Sequence, residues 1–144
     1  KDHVNMMPEH PLRGKNDERF GPRFVNMSEP YSRKMIARAK EIAVDLNIEV
    51  HEGIYLGLQG PTFETLAEYR MVKILGADCV GMSTVPEAIA AHALGAEVLG
   101  ISLVTNAAAG VTGEKLNHEE VIAAGKAAAD RMGSLLKNTI PKLV

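Results

Sequence analysis

Five side chains in this sequence can do chemistry on a small ligand: Glu64, Ser83, Thr105, Asn106 and His118. A carboxylate and a carboxamide can each hydrogen-bond the edge of a purine, and the carboxamide does so in two directions because it both donates and accepts. Phe63, beside Glu64, can cover an aromatic face, and the apolar Met82 can pack under a sugar. Ser83 can donate to an anion at a helix N-terminus, and His118 can reach a sugar hydroxyl. Each residue also has a plainer structural reading. Glu64 suits the first turn of a helix, Ser83 and Asn117 suit helix caps, Thr105-Asn106 suits a turn, and His118 suits an exposed first turn.

The order of the chain favours reading these residues together. Gly60-Pro61-Thr62-Phe63-Glu64-Thr65, Gly81-Met82-Ser83-Thr84 and Ser102-Leu103-Val104-Thr105-Asn106 are separated by two helical patterns, each closed by a Leu-Gly-Ala turn. The result is strand–helix–strand–helix–strand with polar residues after each strand. In a doubly wound α/β sheet, that end of the strands is where small ligands bind.

The elements that must position these groups follow from pattern. Residues 1–28 read as loop, punctuated by Pro8, Pro11, Gly14, Gly21 and Pro22, with Asp2-His3-Val4-Asn5 resembling the tail of a strand. Ser28 is the expected cap of a helix ending near Asn47, with Ile36, Ala39, Ile42, Ala43 and Leu46 at helical spacing. Ile48 to Leu58 has a strand composition. Thr62 is the expected cap of the next helix, with Glu64 in its first turn, Leu66, Val72, Ile74 and Leu75 facing inward, and Gly76 closing it. A short strand over Asp78–Met82 leads to an Ala-rich helix capped by Ser83 or Thr84 and ended by Gly95. Glu97 to Val104 is nearly continuous in apolar residues, as in a strand buried on both faces. A Gly/Ala loop over 107–117 precedes a helix from His118 to about Asn138, capped by Asn117.

Composition narrows the function classes. The chain has 144 residues, 46% of them hydrophobic and 24% charged, with a formal net charge of −2. One domain with an ordinary core fits these values. No basic stripe suits nucleic acid, and 4% aromatics without Trp provides no base-stacking platform. The single Cys79 reads as a small core hydrophobe in a reducing compartment. His3 and His10 lack a metal site's companion ligands, and His92 and the loop residues Met6 and Met7 receive no role, so no metal is expected. No apolar run is long enough to span a bilayer and no signal peptide is recognisable, so a cytoplasmic location is expected. There is no Ser-His-Asp arrangement, no glycine-rich dinucleotide turn and no evident acid–base carboxylate pair of the glycosidase kind.

The motifs resemble one family along nearly the whole chain. Asp2-His3-Val4-Asn5, Pro11-Leu12-Arg13-Gly14, Asn16-Asp17-Glu18-Arg19-Phe20-Gly21 and Glu52-Gly53-Ile54-Tyr55 carry the first half of the likeness. Gly60 to Thr65, Leu75-Gly76-Ala77-Asp78, Gly81 to Glu87, Thr105-Asn106 and Asn117 to Val121 carry the second. Together they resemble the C-terminal part of purine nucleoside phosphorylases of the trimeric, low-molecular-mass type. The resemblance implies that residues 1–144 form part of a three-layer α/β/α fold with a mixed, mostly parallel sheet. It implies phosphorolysis of inosine- and guanosine-type nucleosides to free purine and ribose 1-phosphate, with inorganic phosphate as co-substrate and no cofactor. Asn106 would bond the purine at N7 and the 6-oxygen, Glu64 would hold the N1 side, and Phe63 and Thr105 would shape the base pocket. Tyr55, Met82 and His118 would contact the ribose, and Ser83 the phosphate, with Asn106, Glu64 and His118 as the catalytic set. Methylthioadenosine phosphorylases usually carry Asp where this chain has Asn106, so that activity is the runner-up, and a non-catalytic nucleoside-binding or assembly module is the alternative of another class. The family's N-terminal half, which supplies most of the phosphate grip, has no counterpart here. The sequence therefore reads as a fragment, or as one piece completed by a companion, of a homotrimeric enzyme. The loop from Asn5 to Pro11 lacks the aromatic that in some members reaches a neighbouring subunit.

Overall fold

The computed structural model describes residues 1–107 and 117–143. Three parallel strands, β1 (Asp2–Asn5), β2 (Ile54–Gly57) and β3 (Cys79–Gly81), lie in chain order. Asp2 pairs with Ile54 and Asn5 with Gly57, while Tyr55 pairs with Cys79 and Gly57 with Gly81. The intervening helices are α1 (Arg33–Asp45) and α2 (Leu66–Ile74), followed by α3 (Val85–Ala93) and α4 (His118–Thr139). The α/β class expected from the alternation of patterns is present, and among the described residues all the pairing is parallel.

Asp2–Asn5, placed in the loop stretch but resembling the tail of a strand, is a strand: its backbone continues into a bond from the Met6 N–H to the Gly57 carbonyl at 3.0 Å. Pairing with β2 supplies what four residues could not advertise alone. Glu18–Phe20 within the same stretch forms a short 3₁₀ turn. The cap of α1 is Ser32, not Ser28; its hydroxyl accepts the Met35 N–H. Burial of Tyr31 holds the preceding residues outside the helix. Strand β2 is shorter than the Ile48–Leu58 pattern, because Ile48 and Val50 are used against the buried Ile42, Ala43 and Leu135 where α4 packs on α1. β3 is one residue shorter at each end than expected.

Two further expectations fail instructively. In α2 only Val72 is buried, while Leu66, Ile74 and Leu75 are exposed. Glu97–Val104 makes no ladder among the described residues. It is held from the side instead: the Ser32 N–H donates to the Val98 carbonyl at 2.8 Å and the Ser32 hydroxyl to Glu97 at 2.8 Å. The Gly/Ala loop expected over 107–117 lies, from 108 to 116, outside the described residues. Helix α4 begins and ends within a residue of expectation, with the Asn117 side chain accepting the Glu119 N–H. Among the described residues, no helix is long and apolar enough to cross a membrane.

A His–Tyr pair ties β1 to the start of α1. His3 Nδ1 lies 3.0 Å from the Tyr31 hydroxyl, with the rings edge to face. Burial pushes the His3 imidazole below its ordinary 6.5, partly offset by the Asp2 carboxylate. Burial, reinforced by Asp2 and Tyr55, pushes Tyr31 up to about 12 from an ordinary 10.0. Where the unfolded chain binds more protons, stability rises with pH, and the converse also holds. As pH falls through 6.5 the unfolded chain protonates His3 first, so stability declines there. As pH rises above 10.0 the folded chain keeps the Tyr31 proton longer, so stability declines again. Urea midpoints against pH are therefore expected to form a plateau between those limits, and His3→Gln is expected to flatten the acid limb. An unchanged acid limb in that variant would assign it to other groups.

Candidate active site at the carboxyl ends of the strands

Because β1, β2 and β3 are parallel, the segments that follow them emerge at one end of the sheet. The Leu58 N–H donates to the Gly81 carbonyl at 2.9 Å, which keeps the loop after β2 beside the loop after β3. The first loop carries Gly60, Phe63 and Glu64; the second carries Met82 and Ser83. Parallel sheets place their ligands at such a juncture.

The packing here is close enough to require two glycines. Tyr55, half-buried on β2, lays its phenol across Gly81 on β3. A Cβ on Gly81 would overlap the Tyr55 hydroxyl and stand 2.8 Å from Cζ. The hydroxyl accepts a long hydrogen bond, 3.4 Å, from the Ser83 N–H. A Cβ on Gly60 would overlap Met82 Sδ and stand 3.0 Å from its Cγ. Tyr55, Met82 and Ser83, assigned separately to sugar and phosphate on sequence, are thus brought together. Phe63, 38% exposed, and Met82, 40% exposed, leave apolar surface open at this juncture.

Glu64 is not in the first turn of α2. Thr65 is the N-cap, its hydroxyl accepting the Glu68 N–H at 3.2 Å while the Glu68 carboxylate accepts the Thr65 N–H at 2.7 Å. This reciprocal capping box satisfies the helix start without Glu64. Glu64 therefore sits in the loop ahead of the cap and has no structural duty as a first-turn carboxylate. Its reading as a first-turn carboxylate is thereby removed.

Ser83 and Thr84 form the turn into α3. The Val85 N–H donates to the Ser83 carbonyl at 2.7 Å, with Thr84 at φ 72° and ψ −51°. That is a γ-turn of the rare positive-φ form, costly for a β-branched residue. Thr84 occupies the N-cap position of α3 without a side-chain cap bond, so its hydroxyl does not offset the strain there. Strain of this kind costs about 1–3 kcal/mol and gathers at functional turns. Thr84→Gly is expected to raise the unfolding free energy by about 1 kcal/mol, the relieved strain outweighing glycine's entropy. A thermal melt below the parent's would sink this account.

Thr105 and Asn106 follow the extended segment. The Thr105 hydroxyl donates to Asn106 Oδ1 at 2.7 Å, and Asn106 Nδ2 donates to the Ala107 carbonyl at 3.0 Å. The carboxamide orientation is thereby set by its neighbours. His118 is the exposed first residue of α4. Among the described residues, no hydrogen bond links Asn106 or His118 directly to Tyr55, Met82 or Ser83. Nor does any cluster of His, Cys, Asp and Glu among them suit a metal. Sequence reasoning missed Gly60, Gly81 and Thr84 as site-shaping positions. Gly60 was legible only as a strand breaker and Gly81 only as part of a short strand, and nothing in a threonine's identity announces a positive φ.

A family model described as the phosphorylase superfamily matches residues 1–141. The chain belongs to the phosphorylase superfamily. Within that superfamily its similarities are specific. The purine nucleoside phosphorylase of Mycobacterium tuberculosis is 52% identical over 141 residues, covering 98% of this chain and 48% of the relative. That of Mus musculus is 48% identical over 153 residues, covering 98% of this chain and 52% of the relative. Isoform 2 of purine nucleoside phosphorylase from Schistosoma mansoni, solved with cytosine and ribose-1-phosphate, superposes with a TM-score of 0.93 at 37% identity. It is matched over 100% of this chain and 53% of its own. The S. mansoni purine nucleoside phosphorylase solved with inosine superposes with a TM-score of 0.90 at 39% identity, over 100% of this chain and 53% of its own. This superfamily chain spans about half the length of the relatives it matches.

Proposed function

We propose that this chain carries the base- and sugar-facing part of a purine nucleoside phosphorylase acting on 6-oxopurine nucleosides. The observation behind this reading is the meeting of Tyr55 on β2 with Met82 and Ser83 just past the carboxyl end of the parallel β3, in a chain of the phosphorylase superfamily. Phosphate attacks the anomeric carbon, the C1′–N9 bond breaks with its electron pair passing to the purine, the purine takes up the proton that the attacking phosphate gives up, and ribose 1-phosphate and free base leave. The transition state places positive charge on the sugar and negative charge on the base, so the protein's task is to hold donors where the negative charge gathers.

In this reading Asn106 donates to N7 and meets the 6-oxygen, and Glu64 holds the N1 side. Phe63 and Thr105 bound the base; Tyr55, Met82 and His118 bound the ribose; Ser83 contacts phosphate. No cofactor is required. Ser83 is the one phosphate contact assigned to these residues, and the reading includes a companion segment that supplies the remaining grip. It also includes a homotrimer working in the cytoplasm in purine salvage.

The test is phosphate-dependent cleavage of inosine, followed by chromatography of hypoxanthine and ribose 1-phosphate. Product that appears only with phosphate supports the reading. Cleavage without phosphate, or a preference for methylthioadenosine over inosine, overturns it.

A further inference from the structure

We infer that Gly60 is the positioning residue for the Met82 side chain, and through it for the sugar-facing surface of the site. The inference rests on the reading of Met82 as a ribose contact given under the proposed function.

Gly60 lies in the loop after β2 and Met82 in the loop after β3, yet the two pack with no room between them. All three nearest atoms to a Cβ on Gly60 belong to Met82: Sδ in overlap, Cγ at 3.0 Å and Cε at 3.2 Å. Met82 is unbranched and 40% exposed, so a Cβ at position 60 displaces the thioether to another rotamer rather than breaking the fold. Gly60 also holds φ +64°, which a residue with a side chain adopts at a cost. Its two constraints separate experimentally: the φ strain belongs to the backbone, while the Met82 contact belongs to one partner that can be removed. The same loop continues within four residues to Phe63 and Glu64. The Gly60–Met82 contact thus locks the base-facing loop against the sugar-facing one.

The experiment uses the chain with ¹³C-methyl methionine, the Met82 methyl being assigned by its loss in Met82→Leu. Gly60→Ala is expected to shift the Met82 methyl resonance and leave the other six methionine methyls in place. Gly60→Asn adds the same Cβ at a φ that asparagine tolerates, and is expected to give the same shift if Gly60→Ala proves too unstable to examine. An unmoved Met82 methyl in the folded variant overturns the inference, whatever the ligand does. Titration then uses inosine and hypoxanthine. Inosine binding is expected to weaken about tenfold in Gly60→Ala, hypoxanthine binding to stay within about twofold, and Gly60→Ala/Met82→Ala to bind inosine no worse than Met82→Ala alone. Equal losses for nucleoside and base, or additive losses in the double variant, reduce Gly60 to a backbone role and overturn the inference. Failure of the unsubstituted chain to bind inosine overturns the nucleoside reading and its sugar-facing corollary together, which a moved or unmoved methyl does not affect.

Discussion

In the completed enzyme of the proposed reading, Asn106→Ala is expected to lower phosphate-dependent cleavage of inosine by about 10²-fold or more, the usual cost of deleting one donor aimed at developing negative charge. The loss should fall on kcat and kcat/KM together, because the interaction strengthens as charge reaches the purine. The carboxamide is already oriented: Oδ1 takes the Thr105 hydroxyl proton, and Nδ2 gives one proton to the Ala107 carbonyl. One N–H of the amide is left to donate to a ligand. Asn106→Asp keeps the shape but loses that donor, and is expected to move the preference from inosine toward 6-aminopurine nucleosides. A near-normal rate for Asn106→Ala on inosine would remove Asn106 from the catalytic set. A loss confined to KM would make it a ground-state contact only.

The second large effect is structural. Leu56 is wholly buried on β2, between Val4 of β1 and Val80 of β3 in the ladder. Successive strand residues face opposite sides, so Leu56 fills the face away from Tyr55 and Gly57. Leu56→Ala is expected to cost about 3 kcal/mol, the removed methyl and methylene groups plus the cavity they leave. That is a large part of a typical domain's stability. A urea titration should show the midpoint falling with an unchanged slope. A loss under about 1 kcal/mol would mean that the site collapses readily, and that β2 is not the keystone of the sheet.

Much of this was legible in the chain itself, and the misreadings share a cause. The helices α1, α3 and α4 announce themselves by period and composition, and α4 by Asn117 as well. The start of α2 was also written in the sequence: Thr65-Leu66-Ala67-Glu68 is a capping box, but Thr62 after Gly60-Pro61 competes with it on residue type alone. Ser28 competes with Ser32 in the same way, and only the burial of Tyr31 decides between them. β1 and Glu97–Val104 are mirror cases. The first shows only the tail of a strand and is made a strand by its partner; the second has strand composition but no partner among the described residues. Ladder pairing is a property of two segments, and a single segment's letters do not contain it. For the site, residue types point to Glu64, Asn106 and Ser83, whereas the spatial requirement for Gly60 and Gly81 arises from side chains more than twenty residues away.

The order of the strands also bears on how the sheet assembles. Joining β1 to β2 closes a span such as Lys1 to Gly53, 52 residues apart, while joining β2 to β3 closes one such as Ile54 to Asp78, 24 residues apart. Loop-closure entropy makes the longer span costlier by about 0.7 kcal/mol. The half of the sheet that bears Tyr55, Met82 and Ser83 is therefore expected to form first during refolding, with β1 docking afterwards as the His3–Tyr31 contact closes. Pulsed hydrogen exchange should find the amides of Leu56 and Leu58, which face β3 across the ladder, protected earlier than those of β1. On the proposed reading, a nucleoside-binding juncture that matures before β1 docks lets the ligand act on the folding reaction itself, capturing the growing sheet while that flank is still unpaired.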